Sequence, residues 1–445
     1  MSSWTFGLRV RRRWPGILSR RPLYALPLER QQGLITGTTE AGIETSLLQI
    51  AALAAGHGWK IVLFDAQGSA SLATRFVALL RQFGRTQTVV FPNQRCDLWQ
   101  GSQDRLLHRF LPPSFFRMAP LPSTALPWLA ALLQQDVTQW QTPSATTAQL
   151  ISLIMARGHT LEQETSEHAG GAPGLDTHDA VDLSSLTRWH AALSFLLEQR
   201  RDEGSFDEWT FDSIDGAYLS FDAWSRPEQA RYQAHVLLAD LASSLVERTR
   251  SARRVLVLLR RPDLLFDAET IRQLAVLLEQ AGGSAFFAVR SLSDLGAAAP
   301  SILHGTSTFL LHRSPASEVL TALAPRDASA LRRLPRLDDH ECLAISRGQV
   351  TFLRVQPPPI EAAALLSAAQ QIPPAKEEDP FAFLAAYRQL NAAWHSIRAD
   401  SQGPDWRTVP LQDTPLLPLE ETADEQQHAL RATTTASEEE PHDHR

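Results

Sequence analysis

The order of apolar and polar positions in the first hundred residues predicts alternating strands and helices. Strand-like apolar runs occupy residues 33–36, 60–65 and 88–92, and apolar residues with helical spacing lie between them at 47–54 and 71–83. An unbroken run of this length is typical of a strand buried on both faces, whereas apolar residues three and four apart are typical of a helix with one buried face. This order of elements predicts a parallel sheet flanked by helices.

A second series of strands and helices follows a long, irregular middle section. Strand-like runs occur at 253–259, 284–289 and 308–312, with a helical pattern at 268–280. A last run at 349–355 is predicted to be an edge or closing strand. The chain is therefore predicted to be an α/β protein whose mostly parallel sheet is interrupted by a mainly helical insertion.

Composition divides the chain into six predicted regions. They are a basic arm (1–32), the first half of the core (33–110), a mostly helical insertion (111–250) with a loop at 162–182, the second half of the core (251–356), a C-terminal helical region (357–400) and an acidic tail predicted to be disordered (401–445). Within the insertion, the proline-rich stretch 111–127 is predicted to be a loop or lid.

The net charge of −7 comes from the acidic tail. Nine acids and two arginines lie after residue 412, and the rest of the chain carries 40 acidic and 40 basic residues. A balanced core does not by itself indicate a nucleic-acid partner, although it leaves room for a local basic patch. The first thirty residues hold seven arginines and one acid. We favour a solvated arm, with contacts to phosphate or to a neighbouring subunit as alternatives.

Cysteine content and hydropathy indicate the compartment. The only two cysteines, Cys96 and Cys342, lie far apart and form neither a disulfide framework nor a metal signature. The basic N-terminus is followed by prolines rather than by the apolar segment of a signal peptide, and no apolar run approaches the roughly 20 residues of a membrane helix. The sequence therefore predicts a cytoplasmic protein without an integral membrane segment.

Two glycines five residues apart, Gly37 and Gly42, lie between the first predicted strand and the first predicted helix. Phosphate-binding loops lie between a strand and a helix, because there the backbone N–H groups of the loop and of the helix N-terminus point at the phosphates. The working motif is G-x-x-x-x-G-K-[ST]. Here Ile43 takes the position of the lysine and Glu44 that of the magnesium-binding hydroxyl, with Thr45 one place later.

The candidate loop also contains Thr38, Thr39 and Glu40. Glu40 and Glu44 would place carboxylates where a polyphosphate should lie, and like charges repel one another. We favour a former phosphate loop that is kept as a structural turn and has no cofactor. Weak binding of ATP with little or no dependence on Mg²⁺, and magnesium-dependent turnover, are the alternatives.

Residues 33–83 resemble the first βαβ unit of the type IV secretion coupling-protein family, within the HerA/FtsK class of RecA-like P-loop NTPases. Asp65 and Gly68 match the family's D-P-K-G signature after the second strand. Residues 288–295 resemble its A-T-Q-S-hydrophobic-S-D-L motif, with Arg290 in place of the glutamine. Softer similarity extends through 92–101.

The resemblance also shows which residues depart from the family. Residues 255–259 occupy the position of the Walker B strand, which should end in Asp-Glu, but here Arg260 and Arg261 follow. Asp263 comes too late in register to replace those acids, and Arg290 replaces the glutamine that senses the γ-phosphate. The lysine, the hydroxyl, the acid pair and the sensor are thus all changed, and no catalytic residue is predicted.

Several charged residues remain as candidates for the periphery of the site. We predict that Arg290 forms an ion pair with Glu40 or Glu44, which would turn a nucleotide pocket into an internal salt bridge. Asp65, at a strand end, is either a polar site residue or the cap of the next turn. Arg260 and Arg261 are predicted to lie at a solvated strand end, with contacts to phosphate or to acids of a neighbouring subunit as the alternative.

The resemblance implies a subunit that assembles around DNA. Together with the changed residues, it leads to the hypothesis of a pseudo-ATPase that forms homo- or hetero-oligomers with an active P-loop ATPase, with DNA as a candidate ligand. An active ATP-dependent DNA translocase with a divergent nucleotide site is one alternative. A recruitment module that has lost both nucleotide and DNA is another.

Overall fold

A computed structural model places an eleven-stranded sheet at the centre of the protein. The structure describes residues 6–9, 23–24, 26, 28, 30–38, 40–118, 125–139, 208–247, 254–315, 331–346 and 349–370. The strands are β1 (Gly7–Arg9), β2 (Leu23–Tyr24), β3 (Gln32–Thr36), β4 (Lys60–Asp65), β5 (Thr88–Phe91), β6 (Gly216–Ser220), β7 (Val255–Arg260), β8 (Ser284–Val289), β9 (Thr308–Leu311), β10 (Glu341–Ser346) and β11 (Gln349–Val355).

Helices cover both faces of this sheet. Within the described residues they are α1 (Glu40–Gly56), α2 (Ala70–Gln82), α3 (Gln103–Phe110), α4 (Pro113–Met118), α5 (Ala125–Thr138), α6 (Pro227–Glu247), α7 (Ala268–Gln280), α8 (Ala299–Gly305) and α9 (Ala362–Ala369). Short 3₁₀ segments lie at Pro262–Leu264, Leu292–Ala298 and Leu334–Arg336. Among the helices of these ranges, none combines the length and the apolar character needed to span a bilayer.

The sheet is parallel over most of its width. Its strand order is β2-β1-β11-β10-β9-β3-β8-β7-β4-β6-β5. The seven strands from β9 to β5 run parallel to one another, and β10, β11, β1 and β2 extend the sheet with antiparallel pairs. Parallel strands are usually covered on both faces, which explains why their sequences are continuous apolar runs. The predicted α/β class with a mostly parallel sheet is confirmed.

The side chains of each central strand divide between two cores. In β4, Ile61 and Leu63 pack in the core that contains α1 and α2. Val62 and Phe64 pack in the core on the opposite face, which contains α6 and α7. Successive side chains of a strand point to opposite faces of the sheet, so the same alternation decides which face each polar residue at a strand end will occupy.

The sheet includes two segments that the sequence analysis placed outside it. β6 lies within the predicted helical insertion (111–250) and pairs with β4 and β5, so the core resumes well before residue 251. A five-residue strand between irregular segments gives too little periodicity to be recognised alone. Part of the predicted arm likewise pairs as β1 with β11, which makes β11 an internal strand rather than the predicted edge.

Other predictions concern local structure or fall outside the described ranges. The stretch 111–127 contains α4 and the first residues of α5, which corrects its interpretation as a loop or lid. The predicted loop at 162–182, the acidic tail at 401–445 and the C-terminal region beyond residue 370 lie outside the described residues, as does most of the arm.

Candidate functional site

Three polar residues meet where the parallel strands end. Asp65 is the last residue of β4 and is the register partner of Arg260, the last residue of β7. Arg290 directly follows β8, which pairs with β7. Alternation along the strands directs all three side chains to the face that carries α1 and α2. The carboxyl edge of an open parallel sheet is the usual place for a ligand site, and here it is occupied by charged side chains.

Arg260 is the centre of this arrangement. Its guanidinium lies 2.8 Å from Glu40 Oε2, 3.1 Å from Glu44 Oε1 and 3.3 Å from Asp65 Oδ2. Only 4% of the residue is exposed. The prediction of a solvated strand end is therefore wrong for Arg260, because three carboxylates at this edge hold its side chain inside.

Further arginines complete the pairing of the two glutamates of α1. Arg290 Nε donates to Glu40 Oε1 at 2.6 Å, which is the ion pair predicted from the sequence. Arg75, on α2, pairs with Glu44. We call the three acids and three arginines the ion-pair cluster, and its formal charges cancel. Its members are Glu40, Glu44, Asp65, Arg75, Arg260 and Arg290.

Asp65 serves both of the roles that the sequence left open. Its carboxylate accepts the backbone N–H groups of Gln67 at 3.0 Å and Ser69 at 2.9 Å, which caps the turn into α2. It also accepts hydrogen bonds from Arg260 and from the Tyr218 hydroxyl. Asp65 is fully buried, so all of these donors compensate for the loss of water around its charge.

The pKa shifts agree with a paired cluster. Burial alone would raise the pKa of Glu40, but the hydrogen bonds and charges of Arg260 and Arg290 outweigh it and lower that pKa. Burial opposes the charge of Arg260 in the same way, yet Asp65 and the two glutamates raise its pKa. Burial and the neighbouring Asp65 raise the pKa of Tyr218 well above its ordinary value. Tyr218 therefore remains a neutral hydrogen-bond donor at physiological pH.

The turn between β3 and α1 is shorter than the phosphate-loop motif implies. It joins a central parallel strand to a helix, as predicted. However, α1 begins at Glu40, two residues before Gly42. The Thr38 N–H donates to the carbonyl of Arg313 at 2.8 Å, and its hydroxyl donates to the same oxygen at 3.0 Å. Thr39 lies outside the described residues.

Both glycines of the motif lie against His312, a fully buried residue at the end of β9. A Cβ on Gly37 would stand 2.5 Å from His312 Cβ, and one on Gly42 would stand 2.5 Å from the Asp339 carbonyl and 2.8 Å from His312 Nδ1. Neither glycine has a positive φ. Close packing against β9 and the β9–β10 connection thus explains both glycines without a phosphate.

His312 is itself fixed by hydrogen bonds. Its Nδ1 lies 3.0 Å from the carbonyl of Glu341, which can only accept, so Nδ1 carries the proton. Nε2 then accepts from the Ser46 hydroxyl at 2.8 Å. Burial lowers the pKa of His312 to about 4, which keeps the ring neutral at pH 7. The imidazole therefore ties α1 to the sheet.

Replacing Gly42 with alanine is expected to destabilise the protein by about 1–3 kcal/mol, as overpacking of a dense site does. The same change at an open helical position stabilises by roughly 0.5–1 kcal/mol, because glycine lowers helix stability. Urea denaturation followed by circular dichroism measures the difference. A stabilised variant would show that Gly42 has free space and would contradict the packing role assigned to it.

The remaining residues of the candidate motif do not restore a nucleotide site. Ile43, in the lysine position, is buried in the core. Thr45 lies 3.5 Å from His340 Nδ1. Lys60 starts β4, whereas Asp65 ends it, and five strand residues place the two roughly 16 Å apart. Lys60 donates to the Phe211 carbonyl at the opposite edge of the sheet, so it cannot replace the missing lysine.

The arrangement does not fit ATP with Mg²⁺. Each arginine of the ion-pair cluster is held by carboxylates, and the Thr38 N–H of the loop is used by a protein carbonyl. Within the described part of the chain, no group of three or more His, Cys, Asp or Glu side chains is arranged to hold a metal ion.

The structure brings Glu40, Glu44, Asp65, Arg260 and Arg290 together and places Arg261 apart from them. Arg261 pairs with Asp263 at 2.8 Å and has 9% of its surface exposed, so it too is not solvated as predicted. Sequence reasoning missed Arg75 and Tyr218. Neither residue gave a signal, because β6, which carries Tyr218, is too short to be recognised from its pattern and a single arginine on a helix has no distinctive spacing.

Comparisons with known proteins identify the fold. No family model and no curated protein matches the chain. VirB4 of Thermoanaerobacter pseudethanolicus superposes with a TM-score of 0.54 and 13% identity, over 81% of this chain and 98% of that one. The plasmid coupling protein TrwB in complex with ADP and Mg²⁺ gives 0.52 and 13%, over 75% and 86%.

The bacterial conjugative coupling protein TrwB in a sulphate-bound crystal form gives a TM-score of 0.51 at 12% identity, over 74% of this chain and 86% of that one. Identities this low concern the fold rather than the activity. On the strength of this likeness and of the parallel sheet, the chain has the RecA-like α/β fold of VirB4 and TrwB.

Proposed function

We propose that this chain is a non-hydrolysing RecA-like subunit, related to the coupling ATPases of conjugation and type IV secretion, that assembles with an active P-loop ATPase. The observation that carries the proposal is the position of Arg260. It stands where an enzyme of this fold is expected to hold its metal-binding acids, and it contacts all three carboxylates of the ion-pair cluster.

The charges around the site are reversed relative to a working site. A working P-loop offers a lysine on the loop side and acids on the facing strand. In this chain α1 carries Glu40 and Glu44, and the facing strand carries Arg260. The nucleotide's phosphates and the magnesium ion would thus each meet a charge of their own sign first.

Energetics oppose nucleotide binding as well. Phosphates could reach Arg260 only by displacing its carboxylates, and breaking a buried ion pair by leaving one charge uncompensated costs about 3–5 kcal/mol. Micromolar binding of a ligand corresponds to about 8 kcal/mol. Loss of one or two pairs would therefore remove most of the affinity that a nucleotide normally gains in such a site.

The partner is inferred from the fold. The neighbours with the same fold include a plasmid coupling protein described with ADP and Mg²⁺. A subunit that keeps this fold but fills its nucleotide site internally is suited to a structural or regulatory place beside subunits that hydrolyse ATP. DNA remains a candidate ligand of such an assembly rather than of the ion-pair cluster.

We expect calorimetric titration of the full chain with ATP or ADP to detect no binding tighter than about 1 mM, with or without Mg²⁺. ATP turnover should equal the background rate. The physical reason is that the arginines facing the site are already neutralised. A P-loop ATPase with an intact motif, assayed in parallel, shows that the conditions permit both readouts.

Three outcomes separate the alternative functions. Magnesium-dependent turnover that disappears in Asp65→Asn would identify an active enzyme with a divergent site and would overturn the proposal. Binding of duplex DNA that weakens steeply with salt would support a place in a DNA-translocating assembly. Absence of binding to both nucleotide and DNA would favour a recruitment module.

A further inference from the structure

The strand β5 forms one end of the sheet. Among the described strands it pairs with β6 alone, so its other side is an edge. The unpaired N–H and C=O groups of an edge strand are a template for a further strand, and natural proteins commonly protect such edges. Thr88 and Val90 of β5 are nevertheless only 5% and 6% exposed. Something other than a strand therefore covers this edge.

The hydrogen bonds at the start of β5 show which of its residues face outward. The N–H of Gly216, in β6, donates to the carbonyl of Gln87 at 3.3 Å, so residue 87 faces β6. The N–H and C=O groups of one strand residue point to the same side, and the side alternates from each residue to the next. Val89 therefore also faces β6, whereas the backbone groups of Thr88 and Val90 face outward.

Gln94 takes both outward backbone groups of Val90. The Val90 N–H donates to Gln94 Oε1 at 2.9 Å, and the Gln94 backbone N–H donates to the Val90 carbonyl at 2.9 Å. A residue of an antiparallel neighbouring strand would form the same two bonds, one as acceptor and one as donor. The carbonyl of Gln94 accepts the indole N–H of Trp209 at 3.0 Å. Trp209 is 4% exposed, so this residue fixes Gln94 to the core.

From this geometry we infer that Gln94 is an edge cap, which takes the place of a further strand and prevents β5 from pairing with β5 of a second copy of this chain. Two copies of one edge can pair antiparallel about a twofold axis, because the same surface then meets itself. Backbone hydrogen bonds supply the affinity of such strand addition, and Gln94 already uses those of Val90. The inference goes beyond the proposed function and does not involve the ion-pair cluster.

The test compares Gln94→Leu, whose side chain has no acceptor, with Gln94→Glu, which keeps one. Amide hydrogen exchange of the dilute full chain, followed by NMR, should be at least about fivefold faster at Val90 in Gln94→Leu, because one hydrogen bond is lost. Gln94→Glu should exchange at the wild-type rate. Val89 is the internal reference, since a general loss of stability would accelerate its exchange as well.

A second measurement follows the association of the variant. As the concentration of Gln94→Leu is raised, exchange at Val90 should become slow again and sedimentation should show a dimer, because a second copy supplies the missing bonds. The wild-type protein should show neither change. The matched control is Gln280→Leu, which adds the same apolar side chain at an exposed position of α7 and should also show neither.

Three results would overturn the inference. Unchanged exchange at Val90 in Gln94→Leu would mean that the Gln94 carboxamide does not hold that amide. Faster exchange without a dimer at the highest soluble concentration would mean that Gln94 is not what prevents pairing. Equal dimerisation of Gln280→Leu would attribute the association to added apolar surface. Each of these results is independent of nucleotide binding, so a failure here is distinguishable from a failure of the proposed function.

Discussion

Replacing Arg260 with alanine is expected to lower the free energy of unfolding by about 3–5 kcal/mol at pH 7, the usual consequence of removing one partner from a buried ion pair. Asp65 is fully buried, and Glu40 and Glu44 face the same guanidinium. The variant would leave these carboxylates without their shared counter-ion. Domains of this kind have a free energy of unfolding of about 5–15 kcal/mol, so the substitution should remove a large part of it.

The matched control is Arg272→Ala on α7. Arg272 also contacts a carboxylate, that of Glu269 at 2.6 Å, but its side chain is 51% exposed. Water screens an exposed ion pair, so such a pair contributes little to stability, and denaturant titration should find little change in this control. Equal losses in Arg260→Ala and Arg272→Ala would mean that the ion-pair cluster does not hold the sheet edge together.

The pH dependence adds a second measurement. The folded-state pKa of Glu40 is lowered, so its pairing contributes stability above the ordinary glutamate pKa of about 4.3. That contribution is lost as the pH falls through the lower folded-state value. The difference in the free energy of unfolding between wild type and Arg260→Ala should therefore become smaller below about pH 4.3. Protonation of Glu40 then removes a charge that Arg260 compensates.

Local patterns predicted most of the sheet because its strands carry continuous apolar runs. The predicted strand at 284–289 and helix at 268–280 coincide with β8 and α7, and the strand at 60–65 coincides with β4. β6 escaped because its five residues lie in an otherwise irregular region. The pairing of β1 with β11 brings together positions more than three hundred residues apart, and no local pattern specifies such a contact.

The candidate site shows the same division between local and long-range information. The spacing of Gly37 and Gly42 was enough to locate the candidate loop. The arginine at position 290, where the family has glutamine, predicted the contact with Glu40. The position of the Arg260 side chain depends on the register of β7 against β4, which places Arg260 beside Asp65. Arg75 depended on the packing of α2 beside α1. Strand register and helix packing are both features of tertiary structure. A local sequence pattern does not contain them, which explains why Arg260 was predicted to be solvated.

If the ion-pair cluster excludes anions because its charges cancel, removing the negative charges of Glu40 and Glu44 should allow an anion to bind. The double variant Glu40→Gln and Glu44→Gln keeps the shape of both side chains but leaves Asp65 as the one acid of the ion-pair cluster beside its three arginines. We expect it to bind inorganic tripolyphosphate, which the wild-type protein should not bind. At one hundred times the dissociation constant, the ligand would stabilise the folded variant by about 2.7 kcal/mol.

Thermal unfolding with increasing tripolyphosphate measures this gain, and added salt should weaken it because the interaction is electrostatic. The control is Glu269→Gln with Glu279→Gln, which makes the same change of charge on α7, away from the site. If both double variants respond equally, the effect reflects net charge rather than the ion-pair cluster. If tripolyphosphate stabilises neither double variant, the short turn between β3 and α1 and the close packing of His312 exclude phosphates sterically. Charge compensation would then not be the reason that the site binds no anion.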